Sequence, residues 1–368
     1  MKKCLLFEVN PYHEVMFSGL IKYLNNLGFY VDLLIRKSIN EKDIFSNINC
    51  EVTIIKYDDV TIKDVIKNIG GINSYDILFF SSMEYIYKNM YMSAYQYLDK
   101  IQSINIPYIG IMHNPDKMSE FGISDNQKEK LMYLSKQLKG KNNDKVCIPT
   151  YFGEYRISTH NNGNIFLVGK SNDINYVAKQ IQQVLDSGCK KDFSIKCVGD
   201  FNKKEIIIKY IIKNFIDVLL KIIGKVPRYS LGYSYKALKK IDFIGKVSYS
   251  KMFELLNQCS WIDIAINPDI DTQFFKGRTT GALLLAYGFN KPCIMEERYG
   301  IAYNIKNEEG VIYKGEDLGI LKAVLMSDED YEKIQEEFSK NKKNIETVSM
   351  ESIEYIYSKQ KNKEDIVN

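Results

Sequence analysis

The sequence predicts an α/β protein built from two doubly wound parallel sheets of similar size that face each other across a central cleft. Three observations carry this. Short, almost continuously apolar runs alternate with segments of helical period, as strands buried on both faces and joined by helices do. The alternation breaks at a polar, turn-rich stretch, Ser158-Thr159-His160-Asn161-Asn162-Gly163-Asn164, and then restarts. The chain has 368 residues, the length of two ordinary domains. The expected division is a first domain over 1–157, a linker at 158–164, a second domain over 165–345, and a helical tail at 346–368 that packs back on the first domain. Ligands of such sheets bind beyond the carboxyl ends of the strands, so the cleft between the halves is where chemistry is expected.

Residues 4–9 read as the first strand. Residues 16–27 then repeat apolar side chains at helical spacing (Phe17, Leu20, Ile21, Leu24), and Gly28 ends that helix before a second strand at 30–35. Further strands are expected at 52–55, 77–80, 108–112 and 146–149, with a helix over 85–103. After the linker come strand 165–168, helix 173–185, and strands 194–198 and 243–244. Helix 251–259, strand 262–266, helix 280–287 and strand 292–295 follow. Residues 328–361 are charged and helix-prone.

At 45% hydrophobic and 26% charged residues, the chain suits packed domains and not disorder. The charge of +4, from 50 basic against 46 acidic residues, is too balanced for a protein that lives on nucleic acid. Seven cysteines, odd in number and without a Cys-x-x-Cys pair, read as buried free thiols in a reducing compartment. The apolar run before Glu8 is too short for a signal peptide, and no stretch reaches membrane-spanning length. A cytoplasmic protein is expected, at most peripheral on the inner face of the plasma membrane. Residues 203–226 form a basic amphipathic helix or helix pair, longer than the usual connection between two such strands. Apolar Ile207, Ile208, Ile211, Ile212, Phe215, Leu219 and Ile223 alternate with Lys204, Lys209, Lys213 and Lys221. Two readings stand: membrane contact through 203–240, or a core-packed helix with a solvated lysine face.

Five segments are candidates to carry chemistry. The loop Asn10-Pro11-Tyr12-His13-Glu14 follows the first strand, which makes His13 a candidate general base, with Glu14 beside it at the next helix start. In Gly277-Arg278-Thr279-Thr280-Gly281-Ala282, small and hydroxyl residues at a helix start leave backbone N–H groups free for a diphosphate, and Arg278 adds a bidentate charge. Gly169-Lys170 and Gly245-Lys246 each end a strand, where glycine admits a close ligand and lysine meets phosphate. Ile111-Met112-His113-Asn114-Pro115-Asp116 brings two ionisable groups to the same sheet edge as His13. Asp269-Ile270-Asp271 reads as an aspartate-rich turn, and no metal or cofactor is expected.

These segments resemble the two-domain GT-B glycosyltransferases along nearly the whole chain. His13 followed by Leu20, Leu24, Gly28 and Val31 is similar to the opening of inverting members, although Tyr12 stands where that family usually has Gly. Gly277, Thr280, Gly288 and Pro292 follow the donor-binding pattern Gly-x-x-Ser-x-x-Glu-Ala-Leu-x-x-Gly-x-Pro. Leu283 replaces the glutamate that holds the donor ribose, and two residues are inserted before Pro292. Phe275 and Leu283 occupy the places of the two retaining-motif glutamates. The resemblance implies two Rossmann-like domains and a sugar transferred from a nucleotide-sugar to a hydroxyl of a lipid-linked or polysaccharide acceptor, in surface-glycan synthesis. It gives His13 the acceptor proton, Asp116 the orienting of His13, and His113 a contact to the donor sugar. Gly169, Lys170, Gly245, Lys246, Gly277, Arg278, Thr279, Thr280 and Gly281 would hold the donor. Two alternatives stand beside it. One is a GT-B-like sugar-nucleotide epimerase recruiting Glu14, Asp116, Glu296 and Glu297. The other is an inactive GT-B partner subunit, which the missing ribose glutamate favours.

Overall fold

The computed structural model describes residues 1–39, 45, 50–115, 120–135, 145–155, 160–169, 173–267, 269, 280–315 and 318–367. Its first eight strands are β1 (Lys2–Phe7), β2 (Phe29–Arg36), β3 (Val52–Tyr57), β4 (Ile77–Phe80), β5 (Glu84–Tyr87), β6 (Met90–Ser93), β7 (Tyr108–Met112) and β8 (Leu131–Tyr133). The remaining six are β9 (Ile165–Val168), β10 (Ile195–Val198), β11 (Ile241–Gly245), β12 (Trp261–Ile264), β13 (Cys293–Glu296) and β14 (Gly310–Tyr313). One sheet is ordered β3-β2-β1-β4-β7-β8 and the other β11-β10-β9-β12-β13-β14, with every pair parallel. Each order reverses beside its first strand, between β1 and β4 and between β9 and β12, and such switch points open the crevices where ligands sit.

The expected strands and helices recur within a few residues, because each is an apolar run or a helical stripe. Two expectations are corrected. Residues 85–103 are not one helix: β5 and β6 form an antiparallel hairpin, and a helix covers only Ala94–Asp99. Lys88 and Asn89 both take positive φ, the two-residue turn that closes a hairpin. Ser93 and Gln96 then form a reciprocal capping box that starts the helix. Residues 146–149 make one parallel bridge, Val146 to Tyr133, and the edge strand is β8. Pro149 has no N–H to give to a ladder. The N–H groups of Val146 and Ile148 donate to Ser352 Oγ and Ser349 Oγ of the last helix, Asp328–Val367. That helix straps the halves together: Tyr331 Oη donates to Ser260 O on the second domain, while Tyr357 packs on Phe29 and Gln360 bonds Tyr108 on the first.

The core does not stop at the domain boundary. One apolar cluster runs from Phe17 and Leu20 through Phe152 to Phe253 and Phe289. Gly288 ends the Gly281–Gly288 helix against this seam. A methyl group added there would overlap the Phe152 ring and lie 3.0 Å from Thr150 O, and Phe152 is fully buried. Gly288→Ala should therefore cost about 1–3 kcal/mol, read as a fall in Tm of several degrees. An unchanged Tm would mean that the seam yields freely.

Candidate functional site

The site is assembled from loops that leave the carboxyl ends of β1, β4 and β7. Directly after β1, Glu8 is fully buried and accepts from Asn10 N (2.7 Å), Asn10 Nδ2 (2.9 Å) and Ser81 Oγ (2.9 Å). Asn10 Nδ2 also donates to Ser82 Oγ and to Glu84 O, each at 3.0 Å, so the β1 and β4 loops are locked together. This lattice holds His13. Its Nδ1 is buried without a hydrogen bond and lies 3.5 Å from Glu8 Oε2. His13 has φ +76°, a left-handed conformation that non-glycine residues seldom adopt and that turns the chain into the short helix Glu14–Met16.

His113, at the end of β7, lies with its ring stacked on His13 at 4.4 Å between centroids and 26° between planes. Its Nε2 sits 2.9 Å from Ser81 O; a carbonyl only accepts, so Nε2 carries the proton. Burial, reinforced by the nearby His13, pushes the His113 pKa down to about 3, leaving a neutral ring under His13. Glu84 closes the group. One of its oxygens accepts from Asn114 N and the other, Oε2, is buried without a partner. Burial pushes its carboxyl up to about 7, against the lowering effects of the Asn114 N–H and His13, so it changes protonation near neutral pH.

The second domain brings its own carboxyl edge to meet this one. Gly169, Gly199 and Gly245 end β9, β10 and β11 with φ of +107°, +148° and +83°. Gly169 and Gly245 have open space where a side chain would stand, so no side chain blocks a close approach there, while the Gly169 N–H itself donates to Val198 O and the Gly199 N–H to Gly245 O. Thr280 caps the Gly281–Gly288 helix, its Oγ1 accepting from Ala282 N, and Gly281 likewise faces open space. This helix packs against Glu14–Met16. Tyr249, four residues beyond Gly245, donates its hydroxyl to Glu14 Oε1 at 2.9 Å. Glu14 therefore holds the two domains together at the cleft. Lys246 points to solvent and pairs with Asp200 at 3.0 Å.

Of the residues expected from the sequence, His13, Glu14 and His113 converge on one rim, and Gly169, Gly245, Thr280 and Gly281 form the other. Asp116, Lys170, Gly277, Arg278 and Thr279 lie outside the described residues. The carboxylate found beside His13 is Glu8, which sequence reasoning passed over together with Ser81, Ser82, Glu84, Gly199 and Tyr249. A signal existed for Glu8: a charge closing the apolar run of a first strand must find buried partners. Glu296 and Asp269 are engaged elsewhere, both by Arg298. Glu296 accepts from the Arg298 backbone N–H and Nε, and Asp269 from Nη1 at 2.9 Å.

No family model matches the chain, and no curated protein matches it. Solved structures do. The chain is similar to Anabaena HepE in complex with UDP, with a TM-score of 0.56, 12% identity, and coverage of 97% of this chain and 100% of that one. It is similar to a glycosyltransferase from Rickettsia africae, with a TM-score of 0.52, 14% identity, and 97% and 98% of the two chains covered. It is also similar to AviGT4, a glycosyltransferase involved in avilamycin A biosynthesis, with a TM-score of 0.54, 10% identity, and again 97% and 98% covered. Two parallel sheets of six strands and this likeness over nearly the full length make the fold GT-B, with two Rossmann-like domains.

Proposed function

We propose that this GT-B chain transfers a sugar from a nucleotide-sugar to a hydroxyl group, with a lipid-linked or polysaccharide acceptor in surface-glycan synthesis. The observation that carries the reading is the meeting of two carboxyl edges. A buried polar lattice presents His13 on one side, and a glycine-lined rim with a capped helix start stands on the other. His13 takes the acceptor proton, and the acceptor oxygen forms its bond to the anomeric carbon as the bond to the diphosphate breaks. The diphosphate leaves with that electron pair toward Thr280 and Gly281, where the helix start favours negative charge, and the glycine turns leave it room to approach. Glu8 steadies the imidazolium that forms, and the neutral His113 beneath it adds no competing charge.

Thermal melts with a panel of nucleoside diphosphates test the donor half of this reading. UDP comes first, because HepE, of the same fold, was solved with it. A ligand at 100 times its Kd should stabilise the chain by roughly 2.7 kcal/mol, and Thr280→Val should shrink that shift. A well-folded sample that responds to no nucleotide would remove the donor site and favour the inactive-subunit alternative.

A further inference from the structure

The helix Lys203–Ile222 has its apolar side chains on the wrong side for a core-packed element. Inward it presents Ile206 and Tyr210 against the second domain's core, and Asp217, whose carboxylate accepts from the backbone N–H groups of Arg228, Tyr229 and Ser230. Outward, at spacings of three and four residues, stand Ile208, Ile211, Phe215, Val218 and Ile222. Ile211 is 56% exposed, Phe215 61% and Ile222 74%. Of the two readings of 203–226, the core-packed helix with a solvated lysine face is overturned, because the three-turn inner contact is made by the other side of the helix. Ile212 and Leu219 on the same helix, and Ile223 and Val226 just after it, are exposed as well and widen the stripe. Among the described residues outside 203–240, exposed large apolar side chains stand singly, apart from Ile86, Met90 and Tyr91 on the β5–β6 hairpin. A continuous stripe of this kind marks a surface that is covered in use.

Charge selects what covers it. Residues 203–240 carry ten basic residues against two acidic ones, in a chain whose total is only +4. Lys209 and Lys221, both exposed, flank the apolar arc on its two sides, and Lys213 instead lies over the Tyr229 ring on the inner side. A second copy of the chain would set this basic segment against itself. An anionic bilayer offers both halves of the match, acyl chains for the isoleucines and Phe215 and head groups for the lysines. We propose that this face docks the second domain on an anionic lipid surface, with the helix lying in the plane of the interface. The docking needs neither nucleotide nor turnover, so it stands or falls apart from the transfer reading.

Co-sedimentation of the full chain with phosphatidylglycerol-containing vesicles, and with vesicles of phosphatidylcholine alone, tests it. The wild type should pellet with the anionic vesicles, and at least roughly tenfold less with the neutral ones or at high salt. Phe215→Glu combined with Ile222→Glu should lose binding by a similar factor. Both side chains face solvent, so an unchanged melt shows that the fold is intact. Failure of the wild type to pellet, equal binding to both vesicle types, or equal pelleting by the double variant would each overturn the proposal. Sedimentation velocity supplies the remaining outcome. A wild-type dimer that the double variant converts to monomer would make the stripe a self-association face instead.

Discussion

Replacing His13 with alanine should lower sugar transfer by roughly 10²–10⁴-fold while leaving nucleotide affinity unchanged, because the loss is of proton transfer and not of donor binding. The geometry makes the two separable. His13 belongs to the first domain's lattice of Glu8, Asn10 and Ser81, whereas the rim proposed for the diphosphate is made by the second domain. His13 also holds a left-handed backbone, so alanine adds a small stability cost of its own. His13→Asn serves as the companion variant, since asparagine tolerates that conformation and cannot act as the base. The check is turnover of the nucleotide-sugar named by the melting panel, measured beside a nucleotide titration of each variant. Full turnover in either would end the base assignment. Loss of nucleotide binding in both would show that the two rims are mechanically coupled.

The second large effect is on stability. Asp263, on β12, is fully buried, and neither of its carboxylate oxygens has a hydrogen-bond partner. Burial pushes its carboxyl up to about 8, against 3.8 for the free side chain. From about pH 4 to about pH 8 the folded chain keeps a proton that the unfolded chain has released. Stability therefore falls as pH rises through this window and levels off above it, by at most about 6 kcal/mol from this group. Glu84, pushed up to about 7 from 4.5, adds to the fall in the same direction. Urea unfolding at pH 5 and pH 8 should show the loss in the wild type, and Asp263→Asn should remove most of it, leaving the variant the more stable of the two at pH 8. Parallel pH profiles for wild type and variant would mean that Asp263 is hydrated or paired in solution.

Much of this molecule was legible before any coordinates, and the reasons are local. A parallel strand buried on both faces must be apolar along its length, so β4, β7 and β9 could be read to the residue and β1 and β2 nearly so. Helical spacing placed Phe17–Asn26 and Ile174–Asp186, and turn-rich composition placed the break between the halves. The hairpin of β5 and β6 was misread because its tyrosines and methionines also satisfy a helical stripe. Its signals, the Lys88-Asn89 turn and the Ser93–Gln96 capping box, are confined to four residues.

What sequence periodicity determined by itself was the architecture, two parallel sheets wound from alternating strands and helices, and the loops that would carry His13, His113 and the Thr280 helix start. Only the tertiary structure decided which groups meet. Glu8, Ser81 and His113 are separated by 73 and 32 positions along the chain, and they converge because β1 lies beside β4 and β4 beside β7. The pairing of Glu14 with Tyr249 depends on how one domain sits on the other. So does the outward turn of Phe215 depend on packing, since a helix with apolar residues on more than one side leaves its buried face to be chosen by its neighbours. Local pattern fixes elements because it repeats within a turn or a pleat. Chemistry and docking need contacts between distant segments, and those exist only once the sheets are ordered and the domains have closed.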